Sequence, residues 1–529
     1  MIKKFTMNYL QFDLKKIIVS TLFVFTLVSV SIHTSYAATF EVPAGDVAAL
    51  IDAINAANTN MEANDIILAS GSTYILTAID NSTDGDNGLP SITTEMTIVG
   101  NGATIRRASD GVAEFRILHV SETGDLRIFA LTVINGRSTG GVGTEINGGG
   151  IYSRGILEIN FCSFTGNSAI DFGGGIANFF GALTINSSVI SGNHADRSGG
   201  GIDTDGGTVT INDSDISDND APETSGGISN FFGTMTINNC NISHNTAGSD
   251  GGGVWSNDNL TINWSAIFEN SADDFGGGID NEMGTLTINS STISHNSAGS
   301  DGGGIDTDAG TVDINNSTIS SNTADGDGGG IANDAGIVRI NSSTITNNSA
   351  GDGGGLLNAG FTELTNTIIA NQQSGADCFN VAIIGILGSL GHNLDSDGTC
   401  LAFTTDGDMP NTDPLLGPLT DNGGPTFTHI LLPGSPAIDM GNPAGCFNTD
   451  GVVLTDDQRG SGFPRTVDGN GDGDARCDIG ALEAAVIAIF KSGGCAIAPV
   501  GAPIQMPVSM ILLVLIGLRL AIRRKFQKS

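Results

Sequence analysis

Gly276-Gly277-Gly278-Ile279, Leu286-Thr287-Ile288-Asn289, Ile293, Asn296 and Ala298 follow one another before Gly302-Gly303-Gly304-Ile305 starts the series again. Apolar positions inside these runs alternate at period two, in segments of a few residues, with Gly- and Asn-rich corners between them. That is the spacing of strands, not of helices. Working outward, the triplet begins at Gly148, Gly173, Gly199, Gly251, Gly276, Gly302, Gly328 and Gly353, and Ser225-Gly226-Gly227-Ile228 fills the one gap, so the period is 25 or 26 residues. Two further marks run in phase. One ends at Asn167, Asn193, Asn219, Asn245, Asn270, Asn296, Asn322 and Asn348, each followed two residues later by alanine; the other gives Asn160, Asn186, Asn212, Asn238, Asn263, Asn289, Asn315 and Asn341. Agreement at so many positions is an internal repeat.

A leucine-rich repeat needs more leucine and a helical limb, and a nine-residue calcium roll has the wrong period. The remaining solution is an all-β, right-handed parallel β-helix: a solenoid with three short strands per coil and a cap at each end. Identical positions then lie about 4.8 Å apart, so Ile288 sits between Ile262 and Ile314, and the Leu286, Ile288, Ile293 and Ile305 columns fill the bore. Corner asparagines can pass amide hydrogen bonds from coil to coil. Roughly twelve coils would make a rod about 60 Å long.

The composition agrees. Glycine is 76 of 529 residues and charged residues are only 15%, so the surface is kept polar by Asn, Ser, Thr and Gly. Residues 1–37 carry +3 and residues 491–529 carry +6, which leaves −45 on the body against −36 for the whole chain, with eleven arginines and no lysine. That field repels nucleic acid and attracts divalent cations, so nucleic acid is excluded as a partner.

Both ends read as addresses. Lys15-Lys16 precede an apolar run from Ile17 to Ile32, and Ser35-Tyr36-Ala37 supplies a small-x-small site, as a signal peptide with processing at Ala37 requires. At the other end Ser492-Gly493-Gly494-Cys495 leads through a spacer to the apolar run Met506–Leu518 and then Arg519, Arg523, Arg524 and Lys525. Such a tail makes a short transmembrane segment with a cytoplasmic basic end. The expected organisation is a signal peptide (1–37), an N-terminal cap (38–90), β-helix repeats (91–375), a C-terminal cap (376–490) and a sorting tail (491–529).

Three strings carry a family resemblance. Asp421-Asn422-Gly423-Gly424-Pro425-Thr426-Phe427-Thr428-His429, Leu431 to Asp439, and Asp457-Gln458-Arg459-Gly460 with Cys477-Asp478-Ile479-Gly480-Ala481-Leu482-Glu483 together resemble the choice-of-anchor Q domain of bacterial surface proteins with pectin-lyase-like repeats. Residues 38–90 resemble the N-terminal region of proteins with a CSLREA motif, although that string is missing here; Val47, Leu50, Ile51, Ile54 and Ala57 predict a short amphipathic helix in it. The tail resembles sorting signals in which Gly-Gly-Cys precedes a helix and an Arg cluster, which implies processing near Cys495. The resemblance implies export to the cell surface or outer envelope, contact with the export and sorting machinery, and no shared chemistry.

Cysteine placement suits an oxidising compartment: Cys378 with Cys400 and Cys446 with Cys477 are close enough to brace the C-terminal cap as disulfides. Cys162 and Cys240 share a column about 14 Å apart, too far to bond.

Chemistry is sparse. The weak catalytic candidates are Asp203 with Asp205 and Asp306 with Asp308, read as acids at variable, solvated corners four coils apart. Glycoside hydrolysis needs paired carboxylates about 5–10 Å apart. Among residues 148–371 the arginines are Arg154, Arg197 and Arg339, with no cluster around them. A structural calcium ion is expected at Asp468, Asn470, Asp472 and Asp474, whose alternating oxygens and Gly473 resemble an EF-hand loop, though the twelfth position is Ile479. Asp250, Asp274, Asp301, Asp327 and Asp352, before the triplets, form a weaker cation column. Trp255, Trp264, Phe179-Phe180 and Phe231-Phe232 offer stacking platforms. The expected role is adhesion, surface structure or binding of an extracellular glycan or surface polymer; the alternative is a polysaccharide-degrading lyase or hydrolase.

Overall fold

The computed structural model describes residues 37–60, 62–109, 111–140 and 145–484. Residues 1–36 of the expected signal peptide, Cys495 and the apolar tail lie outside the described residues, and no described helix is long and apolar enough to cross a membrane.

The chain is a parallel β-helix. One repeat supplies Ile279–Asn281, Thr285–Asn289, Thr292–Ser294 and Ser297–Ala298, and each pairs in parallel with its counterpart one coil on. These stretches stack into an 11-stranded, a 25-stranded and an 8-stranded sheet, here called the triplet sheet, the main sheet and the alanine ribbon. The expected three strands per coil are therefore four stretches in three sheets. The second and third share a sheet because Glu95–Arg107 and Asp125–Ile134 run through the bend between them without a break. In later coils that bend is a single left-handed residue, from Ser187 and Asp213 through Asn239, Trp264 and Ser290 to Asn316, at φ 47–55°.

The first glycine of the triplet makes another corner. Gly276 has φ +62°, and a Cβ there would lie 2.6 Å from the Cβ of Asp280, while Gly277 and Gly278 lie against the backbone of the next coil. Only a residue without a side chain allows coils to close so tightly. Inside the bore Leu286, Ile288, Ile293 and Ile305 are at most 1% exposed, each burial contributing about 1.5–3 kcal/mol.

Two asparagine ladders tie the coils together and run in opposite directions. From Asn167 to Asn348 each side-chain amide donates to the next Oδ1 toward the C-terminus at 2.9–3.0 Å. From Asn315 back to Asn160 each donates toward the N-terminus at 2.8–3.1 Å. The buried amides are thus satisfied coil by coil.

At the entry, α1 (Val47–Asn60) buries Leu50, Ala53, Ile54 and Ala57 and is capped by Asp46, whose Oδ1 accepts from the Ala49 amide at 3.0 Å. At the exit the chain does more than close the last coil. It turns back along the outer surface of the main sheet and covers it as far as Thr292. Gln458 is fully buried: its amide donates to Thr292 Oγ1 at 2.8 Å and its Oε1 accepts from Thr318 Oγ1 at 2.6 Å. His429 meets Ser320 at 2.9 Å, and the Ala481 amide donates to Thr344 Oγ1 at 3.0 Å. Disulfides join Cys378 to Cys400 and Cys446 to Cys477 within this segment; Cys162 and Cys240 are free and buried.

Candidate functional site

The triplet sheet presents a row of outward residues between the glycine corners and the turns that precede them. In Ile202–Asp205, Ile202 and Thr204 point into the bore and are fully buried, so by strand alternation Asp203 and Asp205 point out. Register places Asp203 between Ala177 and Ser229, with Trp255 one coil further, and Asp205 between Phe179 and Phe231. The small neighbours leave a hollow of about 240 Å³, walled by Phe172, Arg197, Glu223, Phe231 and Trp255. Phe231 stacks on Trp255 at 5.8 Å and 17°. Arg197 lies over the Phe172 ring at 4.8 Å and is held by Glu223 at 3.2 Å.

Asp203 corrects the expectation of a solvated corner acid: it is 7% exposed, and it lies within a strand. Burial pushes its carboxyl up to about 7, against the pull of the Ser229 hydroxyl, and Asp205 adds to the rise. Asp205 is raised by burial as well. Two residues apart on one face of a strand, their Cα atoms are about 6.6 Å apart.

Asp306 corrects the same expectation. It is 1% exposed in Ile305–Thr307, and register sets it beside Asp280. Asp203 and Asp306 share one column four coils apart, about 19 Å of rise, so the two pairs form separate places. Asp306 and Asp308 come together with Asp334, their ligand atoms within 4.8 Å of one another. Asp280, Glu282 and Asp334 do not stand out in the sequence, because none is a near neighbour of Asp306 along the chain. The signal was in the period, since Asp280 precedes Asp306, and Glu282 precedes Asp308 and Asp334, by whole repeats.

In the Asp468 loop each carboxylate is turned onto the loop itself. Asp468 accepts from the amides of Gly471, Asp472 and Gly473 at 2.6–3.1 Å, Asn470 accepts from Asp472, and Asp474 pairs with Arg476. The expected platforms also differ from one another: Trp255 is 8% exposed and acts as a wall, whereas Phe180, Phe232 and Trp264 are exposed. A larger cleft, about 630 Å³, lies between Trp264 and the returning strap at Asp456 and Arg459.

No protein-family model matches the chain, and no curated protein does. Among solved structures it is similar to one described as the crystal structure of pectate lyase Pel9A, with 15% identity over 82% of this chain and 90% of that chain and a TM-score of 0.35. The likeness lies in the parallel coil, and no residue role passes from it.

Proposed function

We propose that this is an exported, surface-anchored β-helix that holds an extended extracellular glycan in the hollow around Asp203, without turning it over. One observation carries the reading: a recess on a flat strand face that joins aromatic walls (Phe172, Phe231, Trp255) to carboxylates and an arginine held in place by its own ion pairs. Sugar rings offer apolar faces to aromatic walls and hydroxyls to charged hydrogen-bonding groups. Export and anchoring rest on the basic-apolar start, the Gly-Gly-Cys tail and the cap strings that resemble the choice-of-anchor Q domain. Calcium at the Asp468 loop belongs to the same proposal, as a brace of the cap.

The second reading, cleavage of the bound polysaccharide, is favoured by Asp203 itself, a carboxyl raised to about 7 on the same strand face as Asp205. One experiment separates the two. The full chain is applied to a glycan array with calcium and with chelator, and the same glycans are assayed for new reducing or unsaturated ends. Saturable binding weakened at least tenfold by Phe231→Ala, with no new ends, is the expected result. Turnover abolished by Asp203→Ala would replace binding by catalysis, and no binding to any glycan would remove the reading.

A further inference from the structure

The triplet sheet carries a second group of acids beyond the hollow. Asp280 and Asp306 stand side by side in one column; Asp308 shares the coil of Asp306, and Asp334 stands on the coil after it. The charges that bear on Asp306 come from Asp280, Asp334, Asp308 and Asp301, all of one sign. Asp250 and Glu282 add theirs to Asp280. The arginine on these coils, Arg339, is held by Asp313 at 3.0 Å, on the main sheet.

Crowded acids alone do not make a site, and a second triad shows the difference. Asp377, Asp395 and Asp397 also converge, but there Asp377 accepts from the Ser396 amide and hydroxyl and from the Asp397 amide, while Asp395 accepts from the Cys400 and Asn411 amides. Their oxygens are already used to brace a turn. Asp306 has nothing of the kind: both of its carboxylate oxygens are buried and neither has a hydrogen-bond partner. Leaving a buried acceptor unpaired costs about 1–3 kcal/mol and more for a charge, so two such oxygens facing two further carboxylates call for a positive occupant.

We propose that Asp306, Asp308 and Asp334 bind a divalent cation, calcium by its chemistry, which clamps two successive coils of the solenoid. The donor set is hard oxygen only, as calcium prefers. With ligand bonds of about 2.3–2.6 Å, two oxygens on one calcium ion lie at most about 5 Å apart, and the ligand atoms here fall within 4.8 Å. Asp306 forms the buried base, Asp308 is exposed, and the half-buried Asp334 closes the triad from the following coil. Water from the open side completes the shell. This cation is independent of the glycan reading and of the Asp468 loop.

The test uses the full chain, stripped with chelator and titrated with calcium chloride while heat release and melting temperature are followed. Saturable binding that raises the melting temperature is expected. Asp306→Asn with Asp308→Asn abolishes that gain, and Asp308→Asn alone, at an exposed position where folding is not at stake, weakens the affinity at least tenfold. Asp468→Asn with Asp472→Asn leaves the gain in place. A calcium effect that is absent from the unaltered chain, survives Asp306→Asn with Asp308→Asn, or disappears with the Asp468 loop would overturn the proposal.

Discussion

The outer surface of the main sheet exists in two states along one repeat. Over the early coils, Val189–Ser191, Asp215–Ser217 and Ala266–Phe268 bury only their central residue. Over the later coils, Thr292–Ser294, Thr318–Ser320 and Thr344–Thr346 are buried at every position. The strands, bore and asparagine ladders are the same in both; what changes is the cover. The returning C-terminal segment lies on the second set, so outward residues that meet water in one half meet Gln458, His429 and Ala481 in the other. The stacking signal decides that a coil forms, and the outward residue decides what it can accept on top.

The comparison breaks most sharply at Arg465. It is 1% exposed, donates to the Ser342 carbonyl at 3.1 Å, and lies 3.8 Å from Glu483. Arg465→Met takes the buried positive charge away from Glu483, which keeps only the Val467 and Asp478 amides, and leaves the Ser342 carbonyl without this donor, at a cost of about 3–5 kcal/mol. Because a solenoid is held together by nearest neighbours, the strap should detach while the early coils persist. Limited proteolysis should then cut within the strap and spare a fragment containing the open coils; loss of both halves together would show that the two surfaces are one cooperative unit.

Part of a pH slope should belong to the open half, beside the share of the cap, where burial raises Asp478 to about 7 and Glu483 to about 9. Burial raises Asp203 to about 7 in the folded chain, against about 3.9 unfolded. The folded state therefore holds this proton more tightly than the unfolded one, so the group's contribution is greatest below about pH 4 and is lost as pH rises through 7. The change amounts to ~4 kcal/mol at most. Melting temperature should fall between pH 4 and 8 in the unaltered chain, the slope should become shallower in Asp203→Asn, and adding Asp203→Asn to Arg465→Met should make that variant's slope shallower by the same amount. A slope that Asp203→Asn leaves unchanged would assign it to the cap acids Asp478 and Glu483.

Both halves should respond alike where they are alike. Asn270 sits mid-ladder, donating to Asn296 at 3.0 Å and accepting from Asn245 at 2.9 Å, with an amide bond to the Ile242 carbonyl at 2.9 Å. Asn322 does the same under the strap. Asn270→Ala and Asn322→Ala should each cost about 1–3 kcal/mol in chemical denaturation. A clearly smaller loss at Asn322 would mean that the strap shares the work of the ladder.

Legibility followed the same division. The period, the strand phase, the bore residues and the ladders could be read because each is repeated many times at fixed spacing, and α1 because Leu50, Ile54 and Ala57 fall on one helical face. The path of the exit cap could not be read, since its contacts join residues far apart once each, as Gln458 does with Ser291 across 167 positions. Yet the column Asp215, Asn241, Ala266, then Thr292, Thr318 and Thr344 already records the change from water to cover. The acids were misread for the complementary reason. Asp203 and Asp306 occupy an outward strand position, which sequence alone treats as solvent, and the glycine corners and preceding turns bury it.

The smallest effect is the most discriminating for that column. Asp215 faces out on the open half and accepts from the Asn241 amide at 2.8 Å in an exposed contact. Asp215→Thr installs the residue that the covered half uses at Thr318. Thr favours a strand slightly more than Asp, one exposed hydrogen bond is lost, and an open surface position tolerates such changes within about 0.5 kcal/mol. The melting temperature should barely move. Thr318→Asp sets a carboxylate against the Gln458 Oε1 that Thr318 now donates to at 2.6 Å, and an unpaired charge there should loosen the strap as Arg465→Met does. A large loss from Asp215→Thr would contradict the division itself: it would mean that the early coils, too, carry a cover in solution, and that Asp215 is one of its contacts.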